Sequence, residues 1–501
     1  MHSSPLPQAG RAKRGGRSRL GERASGGERM RRLCSLPIFI LALTGCMLGP
    51  DYKKPPIDVP DTFRFQENDA QDLANTAWWE QFQDPVLNEL IGIAIQENKD
   101  VKIAAARIDQ FLGEFVTIRS PLFPQANVGL SGVRERVGET PFASNTDSIL
   151  KEYEAALSVS WEIDLFGSRR RETEAARANV LAGEEGRRAT ILTLVASVAS
   201  SYINLRNLDR QLEIAKDTAD SRANSLQVFK DRFEGGTVSE LELAQSQSEY
   251  EASLISIPQI ETLIAQQENA LSILLGRNPS LINRGQELAN FGLPIVPAGL
   301  PSELLARRPD LRQAEQNLIA ANALIGVARA QYFPTISLTG LIGSVSSEFS
   351  DLFSGPAKAW SYGAAISLPI FTGGGIAGQV QQSEAQQQQA LLQYQKSIQV
   401  AFQEVSDSLI AHRKAREQLE LRGRQVKTLR NYAGLARVRY ENGYTSYIEV
   451  LDAERSLFSA EVDYAQTQSA AYTSLVNLYK AMGGGWVTEA EHMAVKEPAP
   501  K

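Results

Sequence analysis

From Tyr153 to Leu165 the side chains alternate. Tyr153, Ala155, Leu157, Val159, Trp161, Ile163 and Leu165 are apolar or aromatic, while Glu154, Ala156, Ser158, Ser160, Glu162 and Asp164 fill the gaps. A period of two predicts a β-strand with one greasy face and one polar, partly acidic face. The pattern returns with Trp360, Tyr362, Ala364, Ile366, Leu368 and Ile370 against Ser361, Gly363, Ala365 and Ser367. Weaker alternation around 127–137 and 335–345 supplies each with a partner, so two hairpins are expected, over 125–165 and 335–371. Strands of about ten residues with this dyad pattern, and aromatics on the apolar face, suit an outer-membrane sheet.

Behind each hairpin the period changes. No proline occurs between Pro141 and Pro258, or between Pro369 and Pro498. Residues 168 to about 233 and 376 to about 441 predict two helices, each roughly 95–100 Å long at 1.5 Å per residue. They end at Gly235-Gly236-Thr237 and Asn442-Gly443-Tyr444-Thr445, where the chain turns back. Leu243, Tyr250, Ile257, Ile264 and Leu271 then recur every seven residues, as do Val450, Leu457, Tyr464, Ala471 and Leu478. Strict sevens impose coiled-coil packing between neighbours. Pro258 should bend the first return helix, because it has no amide proton.

The chain is therefore written twice. Arg232 to Leu243 reappears as Arg439 to Val450, Asp100 to Pro124 as Asp310 to Pro334, and Asp164-Leu-Phe166 as Pro369-Ile-Phe371, at offsets of 207, 210 and 205 residues. A tandem repeat makes the halves walls of one object, and function lies in what they enclose. Residues 1–45 read as an upstream extension and signal peptide, 46–75 as an extended tether, and 76–278 as the first repeat, with its helical hairpin at 168–276. A Pro/Gly-rich crossover at 279–308 leads to the second repeat at 309–485, with its helical hairpin at 376–483, and a tail at 486–501.

Chemistry enters at the amino terminus. Met30-Arg31-Arg32 precedes the apolar run 33–43, and Leu43-Thr-Gly-Cys46 closes it. This is the layout of a signal peptide, and its ending resembles the bacterial lipobox, making Cys46 the expected lipidated first residue. Translation is expected to start at Met30. Residues 1–45 hold nine Lys/Arg against two Asp/Glu, so their removal takes the net charge from −6 to −13. That acidity argues against nucleic acid as a partner. Two cysteines, Cys34 and Cys46, and scattered histidines (His2, His412, His492) provide no metal-ligand spacing. No phosphate-binding loop, nucleophile elbow or zinc-protease motif occurs. No enzyme activity and no cofactor beyond the covalent lipid on Cys46 are expected.

Four strands cannot close a barrel, since small barrels take about eight, and an open sheet edge in lipid strands backbone polar groups. The hairpins must pair with those of other subunits. At this point the sequence resembles a known family, the TolC-type outer-membrane efflux ducts, and within it the OprM-like lipoprotein branch. Trp78-Trp79 to Asp84-Pro85, Arg308-Pro-Asp310-Leu-Arg-Gln-Ala-Glu315, Arg439 to Gly443 with Val450 to Ser456, and Asn477 to Trp486 carry the likeness. It extends over about residues 46–490.

The resemblance implies an α+β membrane protein: a homotrimer whose twelve-stranded β-barrel, four strands per chain, continues as a twelve-helix periplasmic α-barrel. It implies a passive exit duct in the bacterial outer membrane, lipid-anchored and extending into the periplasm. Its partners would be a periplasmic adaptor and an inner-membrane pump of the resistance-nodulation-division type. Type I protein secretion, or a pore-less coiled-coil scaffold lipoprotein, are the alternatives. The family narrows its duct with acidic side chains just after the second tip turn, and Glu449 and Asp452 match them by position. Ser446-x-x-Glu449 also reads as a capping box, like Ser239-x-x-Glu242. Thr445 stands where a well-known family member has a closing arginine. The tip residues Gly235, Gly236, Thr237, Asn442, Gly443, Tyr444 and Thr445 are the expected adaptor contacts, with Gly236 and Gly443 left-handed.

Overall fold

The computed structural model describes residues 47–57, 60, 63, 77–136, 149–292 and 301–483. Cys46 and the 484–501 tail lie outside them. The helices are α1 (Pro85–Glu97), α2 (Lys99–Arg119), α3 (Ser168–Glu234), α4 (Glu240–Leu274), α5 (Pro301–Arg307), α6 (Pro309–Ala330), α7 (Gly375–Glu441) and α8 (Tyr447–Ala481). The strands are β1 (Gln125–Arg136), β2 (Ile149–Ile163), β3 (Thr335–Ser346) and β4 (Lys358–Ser367). No described helix is long and apolar enough to cross a membrane.

The strands form one antiparallel sheet in the order β1-β2-β3-β4. The register collects Val128, Leu157, Ile342 and Trp360 on one face, and Asn127, Ser158, Leu341 and Ser361 on the other. The apolar and polar faces are those read from the alternation. The expectation that hairpins pair only between subunits is corrected, because β2 and β3 pair within the chain. Among the described residues, the outer edges of β1 and β4 remain open. β4 stops at Ser367, short of Ile370, because Pro369 cannot donate to a ladder.

α3 and α7 each have 67 residues, about 100 Å at 1.5 Å per residue. Both start after a left-handed glycine, Gly167 at φ 79° and Gly374 at φ 87°. These caps are 207 residues apart, so Asp164-Leu-Phe166 and Pro369-Ile-Phe371 are two positions out of step, with a shared phenylalanine misaligning them. α4 and α8 have 35 residues each, and α4 continues through Pro258. Its seam residue Leu271 is buried, as are Val450, Leu451, Ala465, Ala471, Tyr472, Leu478 and Tyr479 of α8. Near the sheet, α3 lies between α2 and α6, with α7 beyond α6; toward the tips it lies between α4 and α8, with α7 beyond α8. Among the described residues, each layer is four elements wide and open at both edges.

The main core sits at the waist. Trp78 stacks on Tyr479 at 5.1 Å and 7° and meets Phe82 edge-on at 6.1 Å. Asp84 is fully buried: it caps α1 through Val86 N (2.8 Å) and Leu87 N (3.2 Å), and accepts from the Tyr202 hydroxyl (3.0 Å) and Gln286 N (3.1 Å). Arg308, also buried, pairs with Asp310 and Glu404 at 2.7 Å each and donates to Ala481 O. The family motifs around Trp78 and Arg308 are thus architectural. The described tether residues 47–57 hold no helix or strand and are pinned to the body. Tyr52 and Lys54 reach Glu315 at 3.0 and 3.1 Å, and buried Arg171 meets Leu48 O and Asp51 at 3.1 and 2.6 Å. Phe63 packs against Phe402 of α7.

Candidate functional site: the helical tips

Both long helices end in the same turn. Thr237 N donates to Arg232 O and Gly236 N to Phe233 O; Tyr444 N donates to Arg439 O and Gly443 N to Tyr440 O, all at 2.9 Å. This is the Schellman arrangement, in which the residue after the cap is left-handed. Gly236 (φ 69°) and Gly443 (φ 77°) fill that position, as expected. A side chain at either would point into open space, so backbone conformation alone demands glycine. Gly235 (φ −77°) and Asn442 (φ −90°) are ordinary, and Tyr444 is 77% exposed.

Just behind the turns lies a second, smaller core. Phe229 of α3 meets Tyr447 at 4.2 Å and Tyr440 at 6.0 Å, over Val450, Leu451 and Ala453. Burial pushes the hydroxyl pKa of both Tyr440 and Tyr447 up. This cluster fixes the rotation of α8, and hence the direction of its first acidic residues.

Asp452 is exposed beside buried Leu451 and Ala453. It makes no hydrogen bond or ion pair among the described residues, and Arg455 is its charged neighbour. Glu449 is different. Its carboxylate takes Arg439 at 3.3 Å and the Thr445 hydroxyl. The capping box forms in the first copy, where Ser239 and Glu242 bond reciprocally. Ser446 makes no side-chain cap, so the second box is corrected: Thr445 and Arg439 hold Glu449 instead.

Sequence reasoning missed a buried ion cluster further along. Glu249 of α4, with its side chain 10% exposed, takes Arg222 of α3 at 3.2 Å and Arg455 of α8 at 2.8 Å. It ties three helices together near the tips. Arg437 bridges Glu454 (2.6 Å) and Ser225 (3.3 Å), linking α7, α8 and α3. No local pattern marks Glu249, because its partners stand 27 and 206 residues away along the chain.

This end of the helices thus combines two left-handed turns, a small aromatic core and the carboxylates of Glu449 and Asp452. The sequence profile described as "Outer membrane efflux protein" matches residues 90–277 and 300–484. The chain belongs to that family. The chain is similar to TtgC of Pseudomonas putida, a probable efflux pump outer membrane protein, at 38% identity over 91% of this chain and 96% of that one. It is 36% identical to SilC of Salmonella typhimurium, a probable outer membrane lipoprotein, over 90% of this chain and 97% of that one. The Campylobacter jejuni CmeC outer membrane channel has the same fold, with TM-score 0.85 and 25% identity, over 91% of this chain and 99% of that one. As an outer membrane efflux protein, the chain is a channel component of an efflux system located in the outer membrane, and a transport duct with no enzymatic role.

Proposed function

We propose that three copies assemble into a continuous exit duct, a twelve-stranded barrel in the membrane above a twelve-helix barrel in the periplasm. The carrying observation is the matching width of the layers. Strands near the membrane, helices near the sheet and helices near the tips are each four across and open at both edges. Unpaired strand edges are intolerable in lipid, and a closed ring removes them all at once. The apolar side chains left exposed on the edge helices, Leu254, Ile255 and Leu263 on α4 and Leu421, Leu435 and Val438 on α7, support the same closure.

In this reading an inner-membrane pump of the resistance-nodulation-division type delivers drugs or other small toxic compounds through a periplasmic adaptor. The adaptor contacts the tips at Gly235, Gly236, Thr237 and Asn442 to Thr445. Asp452, with Glu449 as the weaker partner, forms an acidic constriction around the axis. Cys46 carries the lipid; its neighbour Met47 packs where a Cβ on Gly167 would come within 2.9 Å, at the junction of sheet and α3. Intact-mass analysis should find acyl mass on an N-terminal Cys46, and an unmodified chain starting elsewhere would remove the anchor. Native mass and planar-bilayer recording of purified protein test the duct. A trimer that conducts once its tips are loosened is expected, and a non-conducting monomer would refute the proposal.

A further inference from the structure

The open edges of the sheet carry enough register to say how two copies join, an inference that rests on the trimer proposed above. Gln125 faces Ser160 in the first hairpin, and Thr335 faces Ser367 in the second. Thr335 stands 210 residues after Gln125, and Ser367 stands 207 after Ser160, so these two displacements carry one hairpin's register onto the other's. The step of 207 also carries Ser168 and Glu234, the ends of α3, onto Gly375 and Glu441, the ends of α7. Hence β3 stands to β1 as β4 stands to β2. The β2–β3 seam inside a chain then has one counterpart, β4 against β1 of a second copy. Ser158 faces Leu341 across β2–β3, and the same displacements turn this pair into Ala365 against Ser131. Tyr153 with Ser346 becomes Trp360 against Arg136, and Ala155 with Ser344 becomes Tyr362 against Arg134.

We propose that β4 pairs antiparallel with β1 of a second copy in this register, and that Trp360 and Tyr362 lie against Arg136 and Arg134 of that copy on the outer face. Side-chain features that played no part in deriving the register agree with it. Trp360 and Tyr362 are 70% and 82% exposed and stacked on each other at 5.6 Å and 5°, a flat aromatic surface without a cover in the single chain. Arg134 and Arg136, exposed on β1, have no hydrogen bond or ion pair among the described residues. Guanidinium groups favour the faces of such rings, most of all tryptophan. Further along the same face of the seam, beyond the arginines, Ile366 falls opposite Leu130, an apolar pair.

Small residues agree as well. Inside the chain Gly343 lies opposite Ala156, and a Cβ on Gly343 would come within 2.2 Å of Ala155 O. The corresponding seam pair is Val133 opposite Gly363. The bulk has changed strands, and the glycine has changed with it. A slip by one residue would turn the arginines to the other face of the sheet, away from both rings.

Cysteine pairs in the full-length chain, oxidised in the outer membrane, read this register. Ser131→Cys with Ala365→Cys should give a covalently linked three-chain species on denaturing gels without reductant. Ala365→Cys with Gly129→Cys or with Val133→Cys should not, because diagonal neighbours lie about 7–8 Å apart, beyond what a disulfide spans. If either pair blocks assembly, Gly132→Cys with Ala364→Cys tests the same register from the outer face. Dominant cross-linking of a shifted pair overturns the register and leaves the trimer standing. A monomer by native mass, with no inter-chain cross-link for any pair, overturns the trimer as well. Trp360→Leu and Arg136→Gln should each lower the temperature at which the trimer dissociates, and the double variant should fall no further than the worse single. Additive losses would remove the aromatic–arginine contact.

Discussion

Asp84 offers a test of what holds the waist together. Its carboxylate is fully buried and receives four donors: two amides of its own helix, the Tyr202 hydroxyl and the amide of Gln286. Asp84→Ala removes a helix cap, worth about 0.5–2 kcal/mol. It also strands the Tyr202 hydroxyl and the Gln286 amide, at about 1–3 kcal/mol for each buried group left without a partner. The expected loss is therefore about 2.5–8 kcal/mol if nothing relaxes, with water entering the vacated space to recover part of it. Asp84→Asn keeps the cap on one oxygen but puts an NH2 group where the other oxygen accepts from Tyr202 and Gln286, so it should recover only the cap's share. Tyr202→Phe leaves the Gly285 amide, 2.8 Å from the hydroxyl, without its acceptor and should cost about 1–3 kcal/mol.

Because the two residues share one network, the Asp84→Ala, Tyr202→Phe double variant should lose less than the sum of the singles. Circular dichroism during thermal and guanidinium unfolding of the detergent-solubilised protein reads these differences. Gly285→Ala is an independent probe, since its Cβ would fall 2.1 Å from an Asp84 oxygen; it should destabilise comparably. An Asp84→Ala protein within about 0.5 kcal/mol of the parent, the scale of ordinary surface changes, would refute the reasoning for the Asp84 network.

Three further outcomes are expected. Asp452→Asn should reduce cation selectivity and multivalent-cation block in single-channel recordings while trimer yield is unchanged, because a ring of carboxylates favours cations; unchanged selectivity in the Asp452→Asn, Glu449→Gln double variant would remove the acidic constriction. Gly443→Ala should cost about 1–2 kcal/mol at its left-handed turn, seen as faster tip proteolysis, whereas Gly235→Ala at φ −77° should be near neutral; equal effects would contradict the turn assignment. Burial pushes the hydroxyls of Tyr394, Tyr472 and Tyr479 up to about 12, above the roughly 10 of an unfolded chain. Stability from keeping them neutral is complete below about pH 10 and lost as pH rises toward 12, so thermal scans at stepped alkaline pH should fall more gently in Tyr472→Phe than in the parent.

The long elements were legible because their signals are local. Two proline-free stretches gave α3 and α7 to within two residues at each end, and the Gly236 and Gly443 turns followed from composition. What escaped was pairing at a distance. Alternation says which face of β2 is apolar, but nothing in it names β3 as the neighbour. Glu249 sits in a polar run that reads as solvated surface. It is buried because Arg222 and Arg455, 27 and 206 residues away, converge on it from other helices. The proline-rich tether reads as a spacer, yet Tyr52 and Arg171 pin it through partners 263 and 120 residues distant.

Glu449 shows why even an identical motif is not enough. Ser239-x-x-Glu242 and Ser446-x-x-Glu449 occupy equivalent places, 207 residues apart, and each is preceded by an arginine seven residues before its serine, Arg232 and Arg439. Only the first closes a capping box. The difference lies one residue upstream of the serine. Val238 of the first copy has no polar atom to offer Glu242, so that carboxylate satisfies the orphan amide of its own helix start. Thr445 of the second copy offers a hydroxyl, and with Arg439 it outcompetes a single backbone N–H, because a carboxylate gains more from a cation and a hydroxyl together. The exchange leaves the start of α8 less tightly capped than that of α4 and ties Glu449 to the turn. The two tips of one chain are thereby made unequal, with the looser helix start directly ahead of Asp452.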